Sequence, residues 1–138
     1  MSLRPVKGKW IVKTLNKTAS TTFTYGDLVM LSSGALVTAT AQSTTHVGII
    51  LTAVTSGDSD FASVVGVPVA VPTEPSCEFE ATVTGTLATT DVGTHFDMST
   101  AGLVNKAGTT YKVVLCKGYI STSKGRFSLS SNQEYLRT

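Results

Sequence analysis

The side chains able to do chemistry in this 138-residue chain are few and spread out: two histidines, His46 and His95, two cysteines, Cys77 and Cys116, and one close carboxylate pair, Glu78 and Glu80. A hydrolytic triad sets a Ser or Cys nucleophile beside a His and an acid. Neither histidine lies in such a context: there is no G-x-S-x-G elbow, and neither cysteine has a papain-like surround. Zinc ligation would show C-x2-C or H-x3-H spacing, which is missing here. Glu78 and Glu80, two residues apart, point to one side of a strand, with Cys77 facing the other side and no His or Arg near them in sequence, so they read as a solvated face. The two acids of TSGDSD (55–60) lack the regular series of oxygen ligands that a calcium loop needs and read as a solvated loop. Each glycine stands alone in a turn context, so none cradles a phosphate. The expectation is a protein that is not an enzyme, with no metal, no cofactor and no small-molecule substrate.

Charge is distributed unevenly. Residues 1–17 hold Arg4, Lys7, Lys9, Lys13 and Lys17 with no acid; residues 18–105 hold eight acids and no Lys or Arg; residues 106–138 hold Lys106, Lys112, Lys117, Lys124, Arg126 and Arg137 against Glu134. Either a basic side docks on an acidic partner, or the terminal segments pair with the acidic middle inside the fold. Nucleic acid is not the expected partner, since the cations are few, terminal and not interleaved with aromatics. No membrane is expected either, because no apolar run approaches the roughly 18 residues of a spanning helix. The first residues, MSLRPVKGKW, carry charge without an apolar stretch behind it, so no export signal is read. One disulfide is possible between Cys77 and Cys116, but two reduced, buried thiols are favoured.

What must position these groups is a set of strands. With 41% hydrophobic and only 14% charged residues, the sequence is rich in Thr, Ser and Gly, which suits the solvent side of β-structure. The stretch 25–54 reads as a meander: Leu28 to Leu31, Ala35 to Thr40 and His46 to Val54, with turns at Gly26-Asp27 and Ser32-Ser33-Gly34. Lys9 to Leu15 is a strand with Trp10 as its buried anchor, and the apolar run Phe61 to Val71 is a strand bent near Gly66. Cys77 to Gly85 alternates cleanly, Tyr111 to Ile120 is a long strand bulged at Gly118, and Gly125 to Ser130 is the last. GDLVMLSSGALV (26–37) lines up without gaps on GTHFDMSTAGLV (93–104), and the same register sets HVGII from His46 on VVLCK from Val113. That echo is either a structural duplication or two hairpins built from the same turn chemistry. The fold class expected is all-β: a single-domain small β-barrel or sandwich of about ten to twelve short antiparallel strands. Residues 1–8 are expected as a flexible, extended N-terminal arm, 9–130 as the barrel domain and 131–138 as a polar tail.

The pattern G-D-L-V-x-L-x-x-G-x-L-V from Gly26 to Val37, followed by V-G-I-I at Val47 to Ile50, resembles the capsid decoration (cement, or head-stabilising) proteins of tailed bacteriophages, as does the turn Gly93 to Met98. The resemblance covers roughly residues 20–120. It implies a β-tulip-like module, made in the host cytoplasm, that sits on the outer capsid surface of the virion and ties neighbouring major capsid protein subunits together, as a homotrimer. It brings no catalytic residues. Two other classes of function stay open: a phage tail or fibre-associated carbohydrate- or receptor-binding module, for which the lone Trp10 and dispersed tyrosines are poor platforms, and a small β-fold hydrolase, which would have to recruit His46 or His95 beside a Ser and an acid. The residues expected to bind the capsid are Arg4, Lys7 and Lys9, with Trp10 as the apolar anchor.

Overall fold

The computed structural model describes residues 3–38, 46–74, 76–100 and 102–129. Its first strands are β1 (Arg4–Lys7), β2 (Trp10–Asn16), β3 (Leu28–Ser32), β4 (Ala35–Thr38), β5 (His46–Ile50) and β6 (Gly66–Pro72). After them come β7 (Glu78–Thr84), a 3-10 turn at Thr89–Asp91, β8 (His95–Thr100), β9 (Leu103–Asn105), β10 (Val114–Ser121) and β11 (Lys124–Leu129). The chain is therefore all-β, as its alternating patterns require, and the expected polar tail at 131–138 lies outside the described residues.

Two sheets account for every strand. One has the order β2-β6-β5-β3-β4; in the other, β7-β11-β10-β8-β9, the last strand returns to pair with β7 and closes a five-stranded barrel. Raising each strand number of the first order by five gives the second. The first sheet comes close to closing as well, at an isolated parallel bridge between Lys17 and Leu36. Matching hydrogen bonds recur. Gly26 N donates to Ile50 O at 2.9 Å and Ile50 N to Asp27 O at 3.0 Å, while Gly93 N donates to Cys116 O at 2.8 Å and Cys116 N to Thr94 O at 2.9 Å. At the closing seams Thr18 Oγ1 bonds Leu36 O at 2.8 Å and Thr84 Oγ1 bonds Val104 O at 3.2 Å. The sequence echo is thus a structural duplication of a five-stranded unit. Its register slips by one at the third strand, where Cys116 rather than Lys117 takes the place of Ile50.

Several local expectations are corrected by long-range pairing. The 25–54 stretch is not a meander, because β3 lies between β4 and β5. The closing pair β7–β9 is parallel, from Thr82↔Leu103 to Thr84↔Asn105, in a fold otherwise built of antiparallel ladders. Of the apolar run 61–71 only the part from Gly66 onward is strand, paired along the whole of β2 from Asn16↔Gly66 to Trp10↔Pro72. The bulge expected at Gly118 falls one residue earlier, at Lys117, between the pairs Cys116↔Phe127 and Gly118↔Arg126 of the β10–β11 ladder.

Of the arm expected at 1–8, the described residues 3–8 are not free: Leu3 is buried, and β1 runs antiparallel to the first half of β7, on the edge whose second half takes β9. Burial of a leucine contributes roughly 1.5–3 kcal/mol, which an unattached arm would forgo. Gly8 makes the bend from β1 into β2 with φ of +88°, and a Cβ there would stand 2.7 Å from the Cys77 Cα. Only glycine meets both demands. The carbonyl of Lys9, just past the bend, accepts from Thr73 N at 3.2 Å and from the Cys77 thiol at 3.2 Å.

Two apolar clusters fill the molecule. Phe79, Phe96, Met98, Val114 and Phe127 pack inside the barrel, and the same cluster continues through Leu3 to Leu28, Ile49 and Ala70, which joins the two sheets. The second cluster, on the other side of the first sheet, is mostly β-branched: Val29, Val47, Ile50, Val67, Val69 and Val71, covered by Phe23 and Phe61. Cys77 and Cys116 are both buried free thiols.

Candidate functional site

Strand β7 brings the first and last described strands, β1 and β11, together. Its alternation sends Phe79, Ala81 and Val83 inward and leaves Glu78 and Glu80 on the outer face, between β1 on one side and β11 on the other. Each glutamate spends its two oxygens on two cations from opposite ends of the sequence. Glu80 Oε2 lies 2.8 Å from Arg4 Nη2 and Oε1 lies 3.3 Å from Lys124 Nζ. Glu78 Oε2 lies 3.6 Å from Lys7 Nζ and Oε1 lies 4.0 Å from Arg126 Nε. The Arg4 hydrogen bond, opposed by partial desolvation and reinforced by Lys124, holds the Glu80 carboxyl below its usual range.

The heights of these groups differ. Side-chain exposure is 69% and 64% for Arg4 and Lys7 and 46% and 47% for Lys124 and Arg126, against 18% and 8% for Glu80 and Glu78. The carboxylates sit low and the cations stand above them, so what faces solvent is positive. Gly118 contributes by what it lacks: a Cβ there would meet Arg126 Nε at 3.1 Å, so its absence leaves the guanidinium room to lie across β10.

Of the residues expected to dock, then, Arg4 and Lys7 fall on this face while Lys9 and Trp10 lie at the bend beyond Gly8. Trp10 is a partly buried anchor, its indole N–H donating to Lys7 O at 2.9 Å and its ring packed against the barrel cluster. The glutamates expected as a solvated face are instead the base of an ion ladder, and here the basic ends pair with the acidic middle. Lys124 and Arg126 were not singled out from the sequence. Their alternation in KGRFSL put them on one face, but nothing local said that this face adjoins β7.

The other chemistry-bearing residues serve the fold. Lys17 is buried, donating to Phe61 O at 3.0 Å and Ser63 O at 2.8 Å, and so ties the 61–63 loop over the second cluster. It borders a cleft of about 220 Å³ that Asp58, Asp60 and Pro68 also line. Asp58 closes its own turn by accepting from Thr55 N at 3.0 Å, as Asp27 does from Thr24 N at 3.0 Å and Asp91 from Ala88 N at 2.8 Å. Asp97 gathers the backbone N–H groups of Tyr111 and Lys112 at 2.7 Å each and of Thr110 at 3.2 Å, which shapes the loop before β10. His46 is fully buried, and burial pushes its pKa down to about 4, so it is a neutral imidazole at ordinary pH. Among the described residues no three His, Cys, Asp or Glu side chains are grouped to hold a metal ion. No protein-family model matches the chain, and no curated protein matches it.

Proposed function

We propose that this chain is a structural virion protein that binds the outside of a phage capsid as a homotrimer and stabilises contacts between major capsid protein subunits. The observation that carries the reading is the face of β1, β7 and β11, a cationic surface fixed from below by two carboxylates on a barrel that closes on itself. A rigid, charged sheet face suits docking onto a large protein surface, where charge complementarity sets orientation and rate of encounter. The residues that carry the resemblance to decoration proteins add to it. Gly26 to Val37 form the β3–β4 hairpin, and their echo forms β8–β9, so the motif belongs to the repeated frame that displays this face. Cosedimentation with purified heads of the phage whose genome carries this sequence tests the proposal. The protein is expected to pellet with intact heads and to raise the temperature at which they open. Heads that retain none of it at micromolar protein would overturn the reading.

A further inference from the structure

The ion ladder has an uneven stoichiometry. Four cations stand over two carboxylates, a surplus of two positive charges on one flat face, and every anion of the set lies lower than the cations it holds. The two glutamates are two residues apart on β7, roughly 7 Å, and the cations of β1 and β11 flank them from strands roughly 10 Å apart. The result is a rectangle of four cations, each tied to a carboxylate and each more exposed than the carboxylate that holds it. Holding long cationic side chains in place beforehand lowers the ordering entropy that a partner would otherwise have to offset.

Chemistry at the borders narrows the partner. Val6, at the bulge of β1, and Ile120, two residues on from Gly118 in the neighbouring strand β10, are exposed apolar side chains beside the charged rows. Charged rows mixed with exposed apolar groups suit a protein interface. A nucleic acid backbone asks for a longer cationic track, and two surplus charges fall short of it. Lys17 is buried and Lys106 is spent on Asp91 at 3.1 Å, so neither extends the rows.

We propose that the β1–β7–β11 face is the docking site for an acidic protein surface, whose carboxylates take Arg4, Lys7, Lys124 and Arg126 from above while Glu78 and Glu80 hold them from below. This rests on the reading of that face as a docking surface and adds the chemistry of its partner.

The test is a titration of the folded full chain with poly-L-glutamate and, separately, with a short duplex DNA, followed by amide chemical shifts at low and high salt. Poly-L-glutamate is expected to shift amides of β1, β7 and β11 and to bind more weakly as salt rises. The double variant Arg4→Gln/Arg126→Gln is expected to bind about tenfold more weakly, while Arg4→Lys/Arg126→Lys keeps most of the affinity and Lys106→Gln all of it. The dispersion of the same spectra shows whether each variant is folded. No binding of poly-L-glutamate, shifts confined to another face, or equal or tighter binding of the DNA would each overturn the proposal. Failure here with heads still bound removes only the acidic partner. Binding here with heads left bare removes the capsid reading and leaves the acidic-surface site standing.

Discussion

The two five-stranded units share one strand order and are held shut differently. In the unit β7–β11 the closing strands pair over three residues, and the interior is filled by aromatic rings, with Phe79 and Phe127 centroids 6.3 Å apart. In the unit β2–β6 the described residues meet at the Lys17–Leu36 bridge, the interior is mostly valine and isoleucine, and a buried lysine ties down a loop that caps it. The positions that differ follow the same division. Leu28 of the first unit stands where the gapless alignment puts His95 in the second, and Met30 where it puts Asp97. Topology is therefore tolerant of the closure and of the fill, provided that inward positions stay apolar and the paired turns are kept. The first and last described strands, β1 and β11, both lie in the sheet of the second unit.

Substitutions should break the two units unequally. The largest effect is expected from Phe127→Ala, which empties a fully buried ring site in the closed barrel and should cost about 3–5 kcal/mol. Val69→Ala in the first unit removes less and should cost roughly 1.5–2 kcal/mol. Urea unfolding of both variants checks the ranking, and equal losses would mean that the two interiors are packed alike.

Acid should discriminate next. Above pH 6.5, the ordinary value for histidine, His46 is neutral in both folded and unfolded chains and adds no pH dependence. Between pH 6.5 and about 4 the unfolded chain takes up a proton that the buried ring refuses, so stability falls with pH, by about 3 kcal/mol in all, and levels off below. His46→Val, which removes the titrating ring, should flatten that slope in pH-dependent unfolding.

A smaller, more local loss is expected for Lys17→Met. It keeps the stem but leaves the Phe61 and Ser63 carbonyls without their donor, at a cost of about 2 kcal/mol. Hydrogen exchange should then quicken in residues 61–65 and in β6 while β7–β11 keep their protection. A uniform loss of protection would show that the two units open together.

Much of the frame was legible locally. Alternation in 77–85 and 125–130 gave the inward and outward faces of β7 and β11, and the gapless echo of Gly26–Val37 on Gly93–Val104 pointed to a repeat whose reality the hydrogen bonds decide. Period-two patterns and turn residues act over a few neighbours, so the sequence alone was enough to determine most strands, their facing and their turns, but not strand β1 or the late start of β6 at Gly66. Tertiary structure decided the partners. Arg4 and Glu80 are 76 residues apart, and Lys17 and Phe61 are 44 apart. No local period reports which strand edge lies beside which. The N-terminal segment shows the difference most plainly: RPVK has the composition of an arm, and it is a strand because β9 leaves half of one edge of β7 open and Leu3 has a core to enter. The cationic face exists for the same reason, since its charges are read from sequence while their gathering over two glutamates depends on which edges the closed barrel leaves for the two ends of the chain.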